Sequence, residues 1–213
     1  MLYDKDIREP LFDFLEETYG KVRIIEEKII GRSRADVIMV REGEICGLEI
    51  KSDADSYARL SRQVPDYDKY FDKNYVAVGS SHAQGVSEHV PDHWGIITID
   101  QTDEGADFYI LREARPNVNL NMVLKLSLLW RPELAHIQEV NAMHKYAYLS
   151  KRKVIDKIID YVEPDKLNIQ IADELFERDY EAIAEKINAY RAANGLHRRR
   201  RRTRKKKRGN ASI

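Results

Sequence analysis

The sequence predicts an α/β protein: a central mixed sheet flanked by helices, with a C-terminal helical appendage. Three observations predict it. Residues 4–19 carry apolar side chains at helical spacing, and residues 22–50 then hold three runs rich in Val and Ile, parted by glycine turns. The third is that the middle run is apolar on both sides, with Ala35, Val37 and Met39 pointing one way and Ile38 and Val40 the other. A sheet that is apolar on both faces needs a helix layer over each.

Each element follows from local pattern. Ile7, Leu11, Phe14 and Leu15 make one face of a first helix, which Asp4 or Asp6 caps and Gly20 ends. Val22 to Ile30 reads as a strand, and Gly31 turns the chain into a hairpin of Val37–Val40 and Ile45–Ile50 around Arg41-Glu42-Gly43-Glu44. Ser52-Asp53-Ala54-Asp55 offers caps for a helix whose stripe is Tyr57, Leu60, Val64, Tyr67 and Phe71. Pro65 interrupts it, and a proline inside a helix costs about 3 kcal/mol, which predicts a kink or a break. Tyr75–Val78 is a short buried strand, expected parallel to its predecessor through a right-handed crossover. Trp94–Asp100 and Asp107–Arg112 complete a core of residues 1–118, ordered αβββαβ with extra strands at the edge. From Asn119 the pattern turns helical, with a restart at Pro132, a cap at Ser150 and a stop at Pro164. Residues 119–190 form the expected appendage, and 191–213 a disordered basic tail.

Charge separates two tasks. Of 36 basic residues, ten lie in 198–213 without an acid, so residues 1–197 hold 26 basic against 36 acidic groups. An acidic body suits a cation site and a basic tail suits a polyanion. The tail residues Arg198, Arg199, Arg200, Arg201, Arg202, Arg204, Lys205, Lys206, Lys207 and Arg208 repel one another and hold no apolar group to fold around. They are expected to bind nucleic-acid phosphates without sequence preference. One cysteine, Cys46, excludes an internal disulfide, and no apolar run approaches a membrane span. The expectation is a cytoplasmic protein with no membrane partner.

The hairpin carries the chemistry. With the turn centred between Glu42 and Gly43, Arg41 faces Glu44 and Asp36 comes opposite Glu49, where opposed Cβ atoms lie roughly 4.5–5.5 Å apart. Lys51 is two residues past Glu49 and on the same face. Asp36, Glu49 and Lys51 therefore converge. His89 and His93 have i, i+4 spacing, but Pro91 between them argues against a zinc pair.

An Asp on one strand, Glu-x-Lys on the next, and a helix with Gln63 and Tyr67 at Q-x-x-x-Y spacing resemble the PD-(D/E)XK nuclease superfamily. Gly31-Arg32-Ser33-Arg34-Ala35-Asp36, Glu49-Ile50-Lys51-Ser52 and Pro65-Asp66-Tyr67-Asp68-Lys69-Tyr70 resemble, within it, the MmcB-type proteins associated with DNA repair. The resemblance covers roughly residues 20–80. It implies a restriction-endonuclease-like core and a Mg²⁺-dependent deoxyribonuclease, with Mn²⁺ as a substitute. Asp36, Glu49 and the Ile50 carbonyl would hold the metal, and Lys51 would orient or activate water. The adjacent carboxylates favour a charged ammonium, so electrostatic positioning is preferred to base catalysis. A further acid is implied on the preceding strand. Alternation lets one of Glu26 and Glu27 face the site, and Glu26 fits better by its separation. Gln63 and Tyr67 resemble the supporting pair of RecB-like nucleases.

Competing readings stand beside this one. The three charges can be a structural ion-pair cluster, Tyr67 can be core and Gln63 solvated. The protein would then be a catalytically silent binder of DNA or RNA that relies on its tail, or an RNA- or ribosome-associated factor.

Overall fold

A computed structural model describes residues 4–52, 55–80, 83–103 and 105–179. Its centre is a six-stranded mixed sheet in the order β1-β2-β3-β4-β5-β6: β1 (Arg23–Ile30), β2 (Ser33–Arg41), β3 (Glu44–Lys51), β4 (Lys73–Gly79), β5 (Gly95–Thr102) and β6 (Gly105–Arg112). The first three strands are antiparallel neighbours, β3, β4 and β5 run parallel, and β6 returns antiparallel. Helix α1 (Asp4–Tyr19) covers one face, where Ile7, Leu11 and Leu15 pack with Val37, Met39, Leu48 and Tyr75. Gly20, at φ 75°, ends it.

The other face is covered by α2 (Leu60–Tyr70) and by the helices after the sheet: α4 (Met122–Leu126), α5 (Arg131–Val140), α6 (Lys151–Tyr161) and α7 (Pro164–Phe176). A short α3 (Ala83–Val86) links β4 to β5. Leu60, Tyr67 and Phe71 share one core with Ile38, Val40, Ile45 and Val76, and with Leu126, Leu134, Ile155 and Leu167 from the later helices. The segment expected to stand apart as an appendage is thus part of the sheet's own second layer, and residues 1–177 form one compact unit. Long-range polar contacts fix it there. Fully buried Lys125 bonds Asp72 at 2.6 Å and also Asn168, while Asn168 donates to the Gly43 carbonyl at 3.0 Å. Residues 178 and 179 belong to a second unit with the chain that follows, so the 119–190 boundaries and the basic tail extend outside the described residues.

Pro65 does not break α2. The helix begins at Leu60, after a 3₁₀ turn at Tyr57–Arg59, so Pro65 lies in its second turn and frees one carbonyl, that of exposed Ser61. Ser61 and Pro65 are both exposed, where a freed carbonyl can bond solvent and costs less than a buried one. Pro164, read as a stop, is also the first residue of α7, where its fixed φ suits the helix start. Among the described residues no helix is long and apolar enough to cross a membrane.

Candidate functional site

The register of the hairpin is the one its turn dictates. Strands β2 and β3 pair from Arg41↔Glu44 to Val37↔Leu48, and the next residues along, Asp36 and Glu49, lie where the backbone ladder ends. A side chain from α2 takes the place of the missing rung. The Tyr67 hydroxyl accepts the Asp36 N–H at 3.2 Å and lies 3.2 Å from the Leu48 carbonyl and 2.7 Å from Glu49 Oε2. With one hydrogen to give, it donates to the closer carboxylate. The Asp36 carboxylate accepts the Ile50 N–H at 3.1 Å. Two side chains thus complete the strand edge, and both acids are fixed to backbone or to a buried phenol.

Period-two alternation sends Leu48 and Ile50 into the α1 core and turns Glu49 and Lys51 toward α2. Both charged side chains are almost wholly buried, at 2% and 3% exposure. Burial of charge is tolerable when it is paired and hydrogen-bonded. Lys51 donates to Glu49 Oε1 and, at 3.3 Å, to Gln63 Oε1, while Gln63 Nε2 donates to the same Glu49 oxygen. Asp36 is a little more open, at 16%. Its carboxyl is pushed up to about 7, first by burial and then by the charge of Glu49, against the Ile50 N–H, Lys51 and Arg8, which pull it down. The Tyr67 phenol is held well above its ordinary value by burial, and by Glu49 and Asp36, so it stays a neutral donor. At the floor, Asp36 and Glu49 share one buried ammonium, that of Lys51.

Two features differ from the strand pattern. Glu27 has a positive φ of 56°, and the β1–β2 pairing is interrupted at Glu27 between Glu26↔Val37 and Lys28↔Ala35. Alternation fails there, so Glu26 and Glu27 both reach Arg8, at 3.0 and 2.8 Å, and it is Glu27 that lines the cleft. The argument that one acid must face away, and that Glu26 is the better choice, is corrected by this local left-handed turn. Arg8 itself was not singled out from the sequence. It also donates to the Asp36 carbonyl at 3.3 Å, and its Nη2 lies 4.0 Å from Asp36 Oδ1. Its signal was present: Arg8 stands three and seven residues before Leu11 and Leu15, a cation on the apolar stripe of α1.

Asp36, Glu49, Ile50, Lys51 and Gln63 line an open cleft of about 570 Å³. Its remaining walls are mostly charged: Arg32 and Arg34 on one side, Asp55, Arg59 and Arg62 on the other. Tyr67 lies beneath it, in the core. The two histidines with helical spacing are engaged separately, His89 against the Tyr57 ring and His93 with Asp68 at 3.0 Å. The tail residues from Arg198 to Arg208 lie outside the described residues.

Fold and site together define an α/β protein whose hairpin edge carries two carboxylates and a lysine at the floor of a charged cleft. The chain belongs to the family described as bacteriophage P4 protein cII, whose model matches residues 1–201. Protein cII of Enterobacteria phage P4 is 23% identical over 173 residues, covering 76% of this chain and 66% of its own length. The chain therefore spans just under two-thirds of that relative. Among solved structures, SfsA of Pyrococcus furiosus in complex with Ca²⁺ overlays 53% of this chain and 64% of its own, with 15% identity and a TM-score of 0.34.

Proposed function

We propose that the protein is a divalent-cation-dependent hydrolase of phosphodiester bonds in DNA, of the PD-(D/E)XK type. The observation that carries the reading is the junction where the β2–β3 ladder ends. There Asp36, Glu49 and Lys51 meet at a cleft floor, and burial and Glu49 push Asp36 up to about 7. The donor set suits Mg²⁺ or Mn²⁺, being all oxygen: Asp36, Glu49 and the Ile50 carbonyl. A carboxylate has about four lone-pair sites. Glu49 accepts from Lys51, Gln63 and Tyr67, which leaves room for a ligand bond, and Asp36 accepts one backbone N–H. A bound cation would supply an acidified water and offset the charge that develops on the phosphoryl group.

The chain's own groups do the rest. Lys51, held by Glu49 and Gln63, presents its ammonium at the cleft floor to position water or the phosphate. Gln63 and Tyr67 hold the Glu49 carboxylate in one orientation, and Arg8 braces Asp36 from the α1 side. Outside the described residues, the basic tail adds attraction for the polyanion without choosing a sequence.

The test is cleavage of single-stranded, duplex and branched DNA by the full chain with Mg²⁺ or Mn²⁺, beside Glu49→Gln and Lys51→Ala. Loss of cleavage in both variants is expected, and cleavage that survives both ends the reading. A second reading has an observation of its own: Glu49 and Lys51 form a buried, well-bonded pair that stabilises the hairpin with no reaction to perform. That reading makes the protein a silent binder of DNA or RNA, and predicts binding without cleavage under any of these cations.

A further inference from the structure

We infer that the arginines on the two walls of the cleft grip the phosphodiester backbone of a nucleic-acid strand, so that affinity for the substrate resides in the folded body as well as in the basic tail. This deepens the proposed function by naming the groups that hold the strand. It is tested by binding alone, so its failure and a failure of cleavage are read separately.

The cleft is a basic island on an acidic body. Six of its lining residues are cations and four are acids, whereas residues 1–197 as a whole hold 26 basic against 36 acidic groups. Lys51 is held by Glu49 of the floor, and Arg8 by Glu26 and Glu27. The other four arginines are exposed: Arg32 and Arg34 on the β1–β2 side, Arg59 and Arg62 at the start of α2. Arg34 leans on Glu27 at 2.5 Å and Arg59 on Asp55 at 3.6 Å. Among the described residues Arg32 and Arg62 have no side-chain partner, so two guanidinium forks face the cleft unneutralised. Like charges gathered around one concavity repel one another unless an anion joins them. A planar fork suits a phosphate, which it binds through two parallel hydrogen bonds.

The wall that bears Arg32 is built to stay in place. The Asp66 carboxylate accepts the Arg32 N–H at 3.1 Å and the Ser33 hydroxyl at 2.7 Å, and the Tyr70 hydroxyl accepts the Gly31 N–H at 3.1 Å. Gly31 has φ 54°, and a Cβ there would come within 2.8 Å of Asp66 Oδ1. Three bonds from α2 therefore hold a glycine-dependent turn whose next residue is an arginine without an ion-pair partner among the described residues. Holding the main chain of a long cation reduces the entropy lost when it binds. Both walls also hang on the same helix, since Arg62 belongs to α2. That fixes the spacing between them, and the carboxylates of the floor lie in the same cleft, below the strand.

The experiment measures binding of the full chain to a labelled single-stranded DNA, and to RNA of the same sequence, across a salt series in EDTA. For every single-strand phosphate deprived of its cation, the log–log salt slope falls by about 0.7. Arg32→Gln with Arg62→Gln is expected to lower the slope by about 1.4 and the affinity in 100 mM salt by about tenfold or more. Arg32→Lys with Arg62→Lys keeps the charge and is expected to restore the slope. Arg152→Gln with Lys153→Gln removes the same charge from exposed positions on α6 and serves as control, with the tail present throughout. A loss of affinity on either strand that exceeds the control supports the grip. A cleft pair that changes no more than the control pair on both strands overturns it.

Discussion

Asp36→Asn should make the metal-free protein more stable, and increasingly so as the pH rises. An unfolded aspartate ionises near its ordinary value of 3.8, whereas in the fold burial and the charge of Glu49 raise Asp36 to about 7. Between those values the folded protein binds more protons than the unfolded chain, so stability falls as pH rises through the window. The contribution is fully present below the unfolded value and is lost above the folded one. At about 1.4 kcal/mol per unit, the loss between pH 5 and pH 8 amounts to about 2–3 kcal/mol, most of it below pH 7. Asparagine keeps an acceptor for the Ile50 N–H but has no charge to bury. Denaturant titrations of both proteins in EDTA at pH 5 and pH 8 measure the effect. The margin of Asp36→Asn over the parent should widen by up to about 3 kcal/mol, and added Mn²⁺ at pH 8 should restore the parent and not the variant. A margin that does not change with pH refutes the argument that Asp36 carries uncompensated charge.

Gly47→Ala tests the closeness of α2 to the hairpin. A Cβ there would stand 2.3 Å from Phe71 Cδ2 and 2.7 Å from Tyr67 Cδ1, so a loss of about 1–3 kcal/mol in denaturant titration is expected from overpacking. Cleavage, where the parent shows it, should fall with it, because Tyr67 holds Glu49. Lys125→Met leaves the partly buried Asp72 without its cation, and should cost about 2–3 kcal/mol by the same titration. Asp66→Ala separates geometry from charge at the cleft wall. It removes an acid, which by charge alone strengthens nucleic-acid binding, but it also frees the Arg32 turn, and the expected result is weaker binding in the same salt series.

Much of this was legible because short-range rules decide it. Gly43, with φ 67°, makes the turn, the turn sets the register, and the register brings Asp36 level with Glu49. Helical spacing alone places Gln63 and Tyr67 on one face, and both meet Glu49. What was missed depends on contacts between distant residues or on one backbone angle. The left-handed turn at Glu27 sends two consecutive acids to the same arginine. Arg8 finds its partners 18, 19 and 28 residues away. The later helices looked separable because their stripes are ordinary, yet buried Lys125 and half-buried Asn168 bond to Asp72 and the hairpin turn. Composition put affinity in the tail because ten cations within eleven residues stand out. Four arginines scattered from 32 to 62 gather only when the sheet and α2 are assembled.

The hairpin supplies the charges, and α2 determines where they stand. From one side of this helix Gln63 and Tyr67 hold Glu49, and Tyr67 also replaces the rung that β2 and β3 lack. Asp66 and Tyr70 hold the turn that carries Arg32, and Arg62 forms part of the facing wall. Farther along, Asp68 accepts the Trp94 indole N–H at 2.8 Å and an Asn74 amide N–H at 3.0 Å, which fastens the helix to the parallel half of the sheet. Just past its end, Asp72 accepts the Ile45 N–H at 2.8 Å and pairs with Lys125, so the later helices bear on the same segment. A helix of eleven residues has little stability in water by itself. These ties hold it in place, and charged groups on the hairpin that are bonded to a helix so held keep their spacing. The later helices therefore act on the cleft without lining it, by fixing the C-terminal end of α2.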